Sequence, residues 1–222
     1  MRYHATKALP SLLLILLALP AGLAGQEPGG RGPEERKPTR QTEFQSAMRR
    51  LWSEHITWTR QVIVSTAAGL PDRQAATERL LRNQEDIGDA IKPYYGDEAG
   101  DRLTGLLKEH IAIAGELLTA ARAGQDAGVD SAQRKWKANA DSIAGFLSQA
   151  NPQHWKRDEV AGMLHTHLDI TAKEAQARLR GDWDADIAAY DDAHEQALEM
   201  ADALSAGIIH QFPRKFDRMA AR

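Results

Sequence analysis

The chain has 222 residues, of which 42% are hydrophobic and 27% charged, with a formal net charge of −3 and no cysteine. That length suffices for one domain with a substantial core. The lack of cysteine excludes disulfide frameworks, thiolate zinc sites, iron-sulfur clusters and cysteine nucleophiles. A mildly acidic chain without a basic stripe also argues against nucleic acid as a partner.

Residues 1–25 read as a secretory signal peptide. Arg2 and Lys7 give a basic start, Leu9 to Leu19 an apolar run, and Ala21 to Gly25 the small residues of a cleavage region, best placed after Ala24. The run is short of the roughly 20 residues of a membrane span. The expected location is the periplasm or the extracellular space, with no membrane span after cleavage; anchoring by an uncleaved leader is the alternative. Residues 26–41 (QEPGGRGPEERKPTRQ) combine Pro, Gly and charge without an apolar anchor and are expected to be a disordered linker.

From Thr42 to Pro213 the sequence has helical periodicity. Around His55, the residues Leu51, Trp52, Ile56, Trp58, Thr59, Val62 and Ile63 recur at steps of three and four, the period of a helix burying one face. Leu106, Leu107, Ile111, Ile113, Ala114, Leu117 and Leu118 surround His110 in the same way, as do Met163, Leu164, Leu168, Ile170 and Thr171 for His167. Each histidine therefore sits within an apolar stripe. Gly69, Gly124 and Gly181 each follow their histidine by 14 residues, where a glycine ends a helix in the left-handed conformation at least steric cost. Asp72, Asp126 or Asp130, and Asp182 are candidate N-caps for the return helices.

The return helices also match one another. Asn83-Gln84-Glu85-Asp86-Ile87 aligns with Asn139-Ala140-Asp141-Ser142-Ile143 and more loosely with the segment from His194, and Pro93, Pro152 and Pro213 are expected to close them. The pattern predicts an all-α, up-and-down bundle of six helices built from three repeated hairpins, at about 44–95, 100–152 and 158–213, followed by a basic tail at 214–222.

Spacing then locates a polar layer. His55, His110 and His167 precede their glycines by 14 residues, while Asn83, Asn139 and His194 follow theirs by 14, 15 and 13. At 1.5 Å rise per residue all six stand about 21 Å from the turns. Polar groups at that depth need partners, since each left unpaired costs about 1 to 3 kcal/mol.

Three readings follow. In the first, His55, His110, His167 and His194 ligate a transition metal (zinc, copper or iron), with Asn83 and Asn139 orienting them and Glu85 and Asp141 as outer partners. In the second, the layer is a structural hydrogen-bond network in a non-catalytic binding or scaffold domain. In the third, it floors a small-molecule or haem pocket walled by Trp52, Trp58 and Trp136.

The acidic run Asp182-Trp183-Asp184-Ala185-Asp186 lacks the glycine and closing glutamate of a calcium loop and reads as an acidic first turn. His165 reads as a surface residue. No Gly-x-Ser-x-Gly elbow, phosphate loop or dinucleotide fingerprint is present, so the reading leans away from an enzyme.

The segments LWSEHITWTR (51–60), RLLRNQEDIGDAI (79–91), NADSIAGFLSQANP (139–152) and ADALSAGIIHQFP (201–213) resemble a family of uncharacterised bacterial helical-bundle proteins over most of residues 50–213. The resemblance implies an all-helical fold. It carries no established activity and assigns no role to any residue.

Overall fold

The computed structural model describes residues 39–217. The expected signal peptide, the expected linker up to residue 38 and residues 218–222 lie outside the described residues. These form seven helices and no strand: α1 (Arg40–Ala68), α2 (Arg73–Tyr95), α3 (Asp97–Arg122), α4 (Asp126–Ala150), α5 (Arg157–Arg180), α6 (Trp183–Gln211) and the short α7 (Pro213–Phe216). None of the described helices is long and apolar enough to cross a membrane.

The first helix begins at Arg40, two residues ahead of the expected start. Thr39 is the reason: its Oγ1 accepts the Thr42 N–H at 3.1 Å, which satisfies one of the free donors of the first turn.

The turns between α1 and α2, α3 and α4, and α5 and α6 are built alike. Gly69, Gly124 and Gly181 all have positive φ, at 67°, 66° and 72°. At each turn the glycine N–H bonds the carbonyl three residues back, at Thr66, Ala121 and Arg178. The next residue reaches five back, to Ser65, Ala120 and Ala177. This pair of bonds satisfies carbonyls that the helix end leaves free.

The expected N-caps fare differently. Asp182 accepts the Ala185 N–H at 3.3 Å, whereas the Asp72 carboxylate takes a bond from Gln61 instead, Asp126 is already the first residue of α4, and Asp130 lies inside it.

Two proline boundaries match the sequence, since α4 stops at Ala150 ahead of Pro152 and α6 at Gln211 ahead of Pro213. Pro93, in contrast, lies inside α2, which runs on to Tyr95. Proline removes its own N–H and crowds the carbonyl four residues back, but the last turn is held by its aromatic rings: Tyr94 packs on Phe44 at 5.1 Å and Tyr95 on Trp155 at 5.9 Å. Gly96, at φ 87°, then turns the chain directly into α3.

The start of the basic tail lies among the described residues. Residues 213–217 are held to the bundle because Phe216, 5% exposed, stacks on Tyr94 and packs on Phe44.

Each helix packs along its predecessor and α6 returns against α1, closing a ring; α1, α3 and α5 also meet one another across the axis. Their inward residues come in sets of three at equal distances from the histidines. Seven residues before them stand Met48, Leu103 and Val160, and three before them Trp52, Leu107 and Leu164. Eight after them stand Ile63, Leu118 and Ala175; all nine are buried. The period of the apolar stripe thus becomes a stack of layers.

At the end away from the three hairpin turns, Gly207 lies under the Trp155 indole, and its carbonyl accepts the Asn151 side-chain N–H at 2.9 Å. A Cβ here would fall 2.1 Å from Trp155 Nε1. Gly207→Ala is expected to lower stability by about 1–3 kcal/mol, as overpacking does. A thermal melt matching that of the wild type would show that the indole moves aside freely.

Candidate functional site

His55, His110 and His167 are 4%, 5% and 3% exposed and occupy one layer on the bundle axis. The His167 ring lies between the others, with centroids 5.7 Å from His55 and 6.3 Å from His110. Burial pushes all three below the ordinary histidine range: His110 to about 3, His167 to about 4 and His55 well below it, where the neighbouring imidazoles add to the effect. All three are neutral at physiological pH.

A carboxamide on the return helix holds each ring by Nδ1. Asn139 Oδ1 stands 2.8 Å from His110 Nδ1 while Asn139 Nδ2 donates to the Leu106 carbonyl at 3.1 Å. Gln196 does the same, with Oε1 3.2 Å from His167 Nδ1 and Nε2 donating to the Met163 carbonyl at 3.1 Å. Because both amides spend their N–H groups on carbonyls, their oxygens face the rings, and His110 and His167 donate through Nδ1–H. In the first hairpin two residues share the task. Asn83 Nδ2 donates to the Leu51 carbonyl at 3.0 Å, and Gln84 Nε2 stands 3.1 Å from His55 Nδ1.

Among the described residues no hydrogen bond engages Nε2 of the three rings. All three line one cavity of about 50 Å³ on the side of the hairpin turns. The space arises because the residues one turn beyond each histidine, Thr59, Ala114 and Thr171, are small, as is Gly115 beside them. It has room for a few waters or a small ion. A haem or drug-sized molecule needs a pocket of roughly 300–1,000 Å³, so the third sequence reading does not fit the site as it stands. Trp52 and Trp136 do pack on the layer, at 5.8 Å from His55 and 5.1 Å from His110. Trp58 does not line the cavity; it lies under the Arg79 guanidinium.

The other expected members fall outside the layer. His194 sits half-buried on the α1/α6 seam, its Nε2 2.9 Å from Ser53 Oγ, in a groove with Tyr190, Asp191 and Glu195. Glu85 pairs with Lys108 on the surface, and Asp141 with His165 Nε2 at 2.9 Å. The physical reason is angular. A helix turns 100° per residue, so side chains at equal depth but one or two positions apart leave by different faces.

Gln84, Asn139 and Gln196 each follow their histidine by 29 residues. That interval was present in the sequence and would have selected Gln84 and Gln196 over Asn83 and His194. As the helices stand, no group of three or more His, Asp or Glu among the described residues is drawn close enough to hold a metal ion.

A second buried polar cluster left no such signal. Arg60 on α1 donates to Glu174 on α5 at 2.8 Å and grips both oxygens of Asp186 on α6 at 3.0 Å, with its guanidinium over the Tyr190 ring. Arg178 reaches Asp186 at 3.1 Å. Both carboxylates are 1% exposed, so Asp186 is a buried ion-pair partner rather than a solvated first-turn acid. Burial pushes Glu174 up to about 7, against the pull of Arg60.

No family model matches the chain, and no curated protein or solved structure matches it.

Proposed function

We propose that the protein binds a transition-metal ion through Nε2 of His55, His110 and His167 in the axial cavity. The observation that carries this reading is three buried imidazoles around one cavity, each held at Nδ1 by a carboxamide and with no hydrogen bond to Nε2 among the described residues. Fixing a ligating histidine through its other nitrogen is how metal sites orient their ligands. Three nitrogens leave a fourth position for water, and zinc, copper and iron all accept imidazole.

The void itself supports the reading. A cavity of about 50 Å³ costs about 1 kcal/mol at roughly 24 cal/mol per Å³, a loss that bulkier residues at Ala114 or Thr171 would remove. Two imidazoles sharing a tetrahedral metal at 2.0–2.1 Å have centroids about 5.2 Å apart. The two pairs that include His167, at 5.7 and 6.3 Å, exceed that by roughly 0.5 to 1 Å, and His55 and His110, on either side of it, must also draw together on binding. We read the three hairpins as copies of one unit, and the leader as placing the protein outside the cytoplasm.

A register network in a non-catalytic binding or scaffold domain is the second reading, favoured by one observation. The carboxamides tie each odd helix to its return helix through both a histidine and a carbonyl, a role that needs no ion.

Metal content and melting separate the two. Purified full-length protein is expected to retain or take up close to one equivalent, and chelator is expected to lower its Tm, because a ligand that binds only the folded state stabilises it by mass action. Less than a tenth of an equivalent with every candidate metal, and a Tm indifferent to chelator, would leave the network reading alone.

A further inference from the structure

A second cavity lies on the bundle axis, on the side of the histidines away from the hairpin turns. It measures about 30 Å³ and is walled by the layers seven and three residues before the histidines, together with Trp155 and Ile208. Every wall residue is aliphatic, Trp or Met, and none presents a polar atom to the space. Size alone would admit one water, but a buried water needs about two to four polar partners, and these walls supply none. The cavity therefore favours an uncharged molecule that makes no hydrogen bonds.

Two features set this space apart from a packing fault. Met48, Met163 and Met200, the methionines among the described residues, all line it, one each from α1, α5 and α6. An unbranched side chain with a polarisable sulfur adapts to a guest and attracts it by dispersion. The wall also has one weak point. Every other wall residue is buried, whereas Met163 is half-buried. Its carbonyl accepts the Gln196 Nε2 N–H at 3.1 Å, so the backbone is held there while the side chain can turn.

We infer that this cavity is a binding site for a small apolar molecule of the size of dioxygen, entered past the Met163 side chain. A void of about 10 Å³ lies between it and the imidazole layer; all three histidines line that void with Trp52, Leu107, Leu164 and Met200, which also wall the apolar site. A guest thus sits beneath the imidazoles, opposite the cavity on the turn side. The site needs no ion and is independent of the metal reading.

Xenon, similarly small and unable to hydrogen-bond, is the probe. Crystals of the full-length protein under xenon pressure are expected to show an anomalous peak between Met48, Met163 and Met200, and in solution the ¹³C methyl signals of these three are expected to shift together as xenon is added. No peak and no shift there would overturn the site, as would a peak confined to the turn-side cavity by Thr59 and Ala114.

Two variants locate the site and its entrance. Val160→Ile adds one methylene to the wall and is expected to weaken xenon binding about tenfold by filling the space, with the fold retained. A folded variant that binds xenon as the wild type does would place the guest elsewhere. Met163→Ile, with a side chain stiff at χ1, is expected to slow xenon exchange about tenfold while the bound peak persists. Unchanged exchange would overturn the entry route.

Discussion

Below about pH 6.5, metal-free protein is expected to lose stability steeply and to unfold in mild acid. The buried histidines have folded pKa values depressed from 6.5, to about 3 for His110 and about 4 for His167, with His55 shifted the same way. The unfolded chain binds their protons first. Stability is therefore full above pH 6.5 and is lost as the pH falls toward the folded values. Each histidine removes about 1.4 kcal/mol per pH unit in this window, so His110 and His167 together remove about 5 kcal/mol by pH 4.5. Total domain stabilities are about 5–15 kcal/mol.

Glu174 works in the opposite direction. Its folded pKa is raised to about 7, so its contribution is present below the unfolded value of 4.5 and is lost as the pH rises through 7. It offsets part of the acid loss, and Glu174→Gln is expected to steepen it. Denaturant titrations between pH 7.5 and 4.5, with chelator present, measure both effects. A midpoint unchanged across that range would mean that the three rings take up protons freely within the fold.

Arg60→Met is expected to cost about 3–5 kcal/mol, the range found when one partner of a buried ion pair is removed. Arg60 is the partner of two carboxylates that are each 1% exposed. Without it, Glu174 loses its hydrogen-bonded cation and Asp186 keeps only Arg178. Arg178→Met should cost less, because Asp186 retains the two-pronged grip of Arg60. The cluster joins α1, α5 and α6, so the lost stability is expected to appear as earlier opening of the seam where the last helix meets the first. Hydrogen exchange along α6 reports that opening. A loss under 1 kcal/mol would show that water already screens the cluster.

The contrast between the two buried polar clusters shows what a single sequence reveals. The histidine layer was legible because it recurs: three residues of one type stand at one distance from three glycines, and helical rise turns that distance into depth. Rotation about each helix was harder to read. Depth alone admitted His194 and missed Gln84, whereas the face is set by the 100° step, which gives Gln196 in place of His194 and adds Gln84 beside Asn83.

Arg60, Glu174 and Asp186 do not recur at equivalent places. They lie 114 and 126 residues apart in sequence, and each has the local setting of an ordinary surface charge. Only the closure of α6 onto α1 brings them together. The same holds for Phe216, whose anchor is an aromatic surface assembled from Phe44 and Tyr94, and for Pro93, tolerated because tertiary contacts hold the turn after it.

The most direct test of the account is where a metal sits. Crystals of the zinc-loaded protein, measured at the zinc absorption edge, are predicted to show one anomalous peak on the bundle axis, about 2.0–2.1 Å from Nε2 of His55, His110 and His167. An axis without a peak, with zinc only on surface histidines such as His154 and His210, would contradict it.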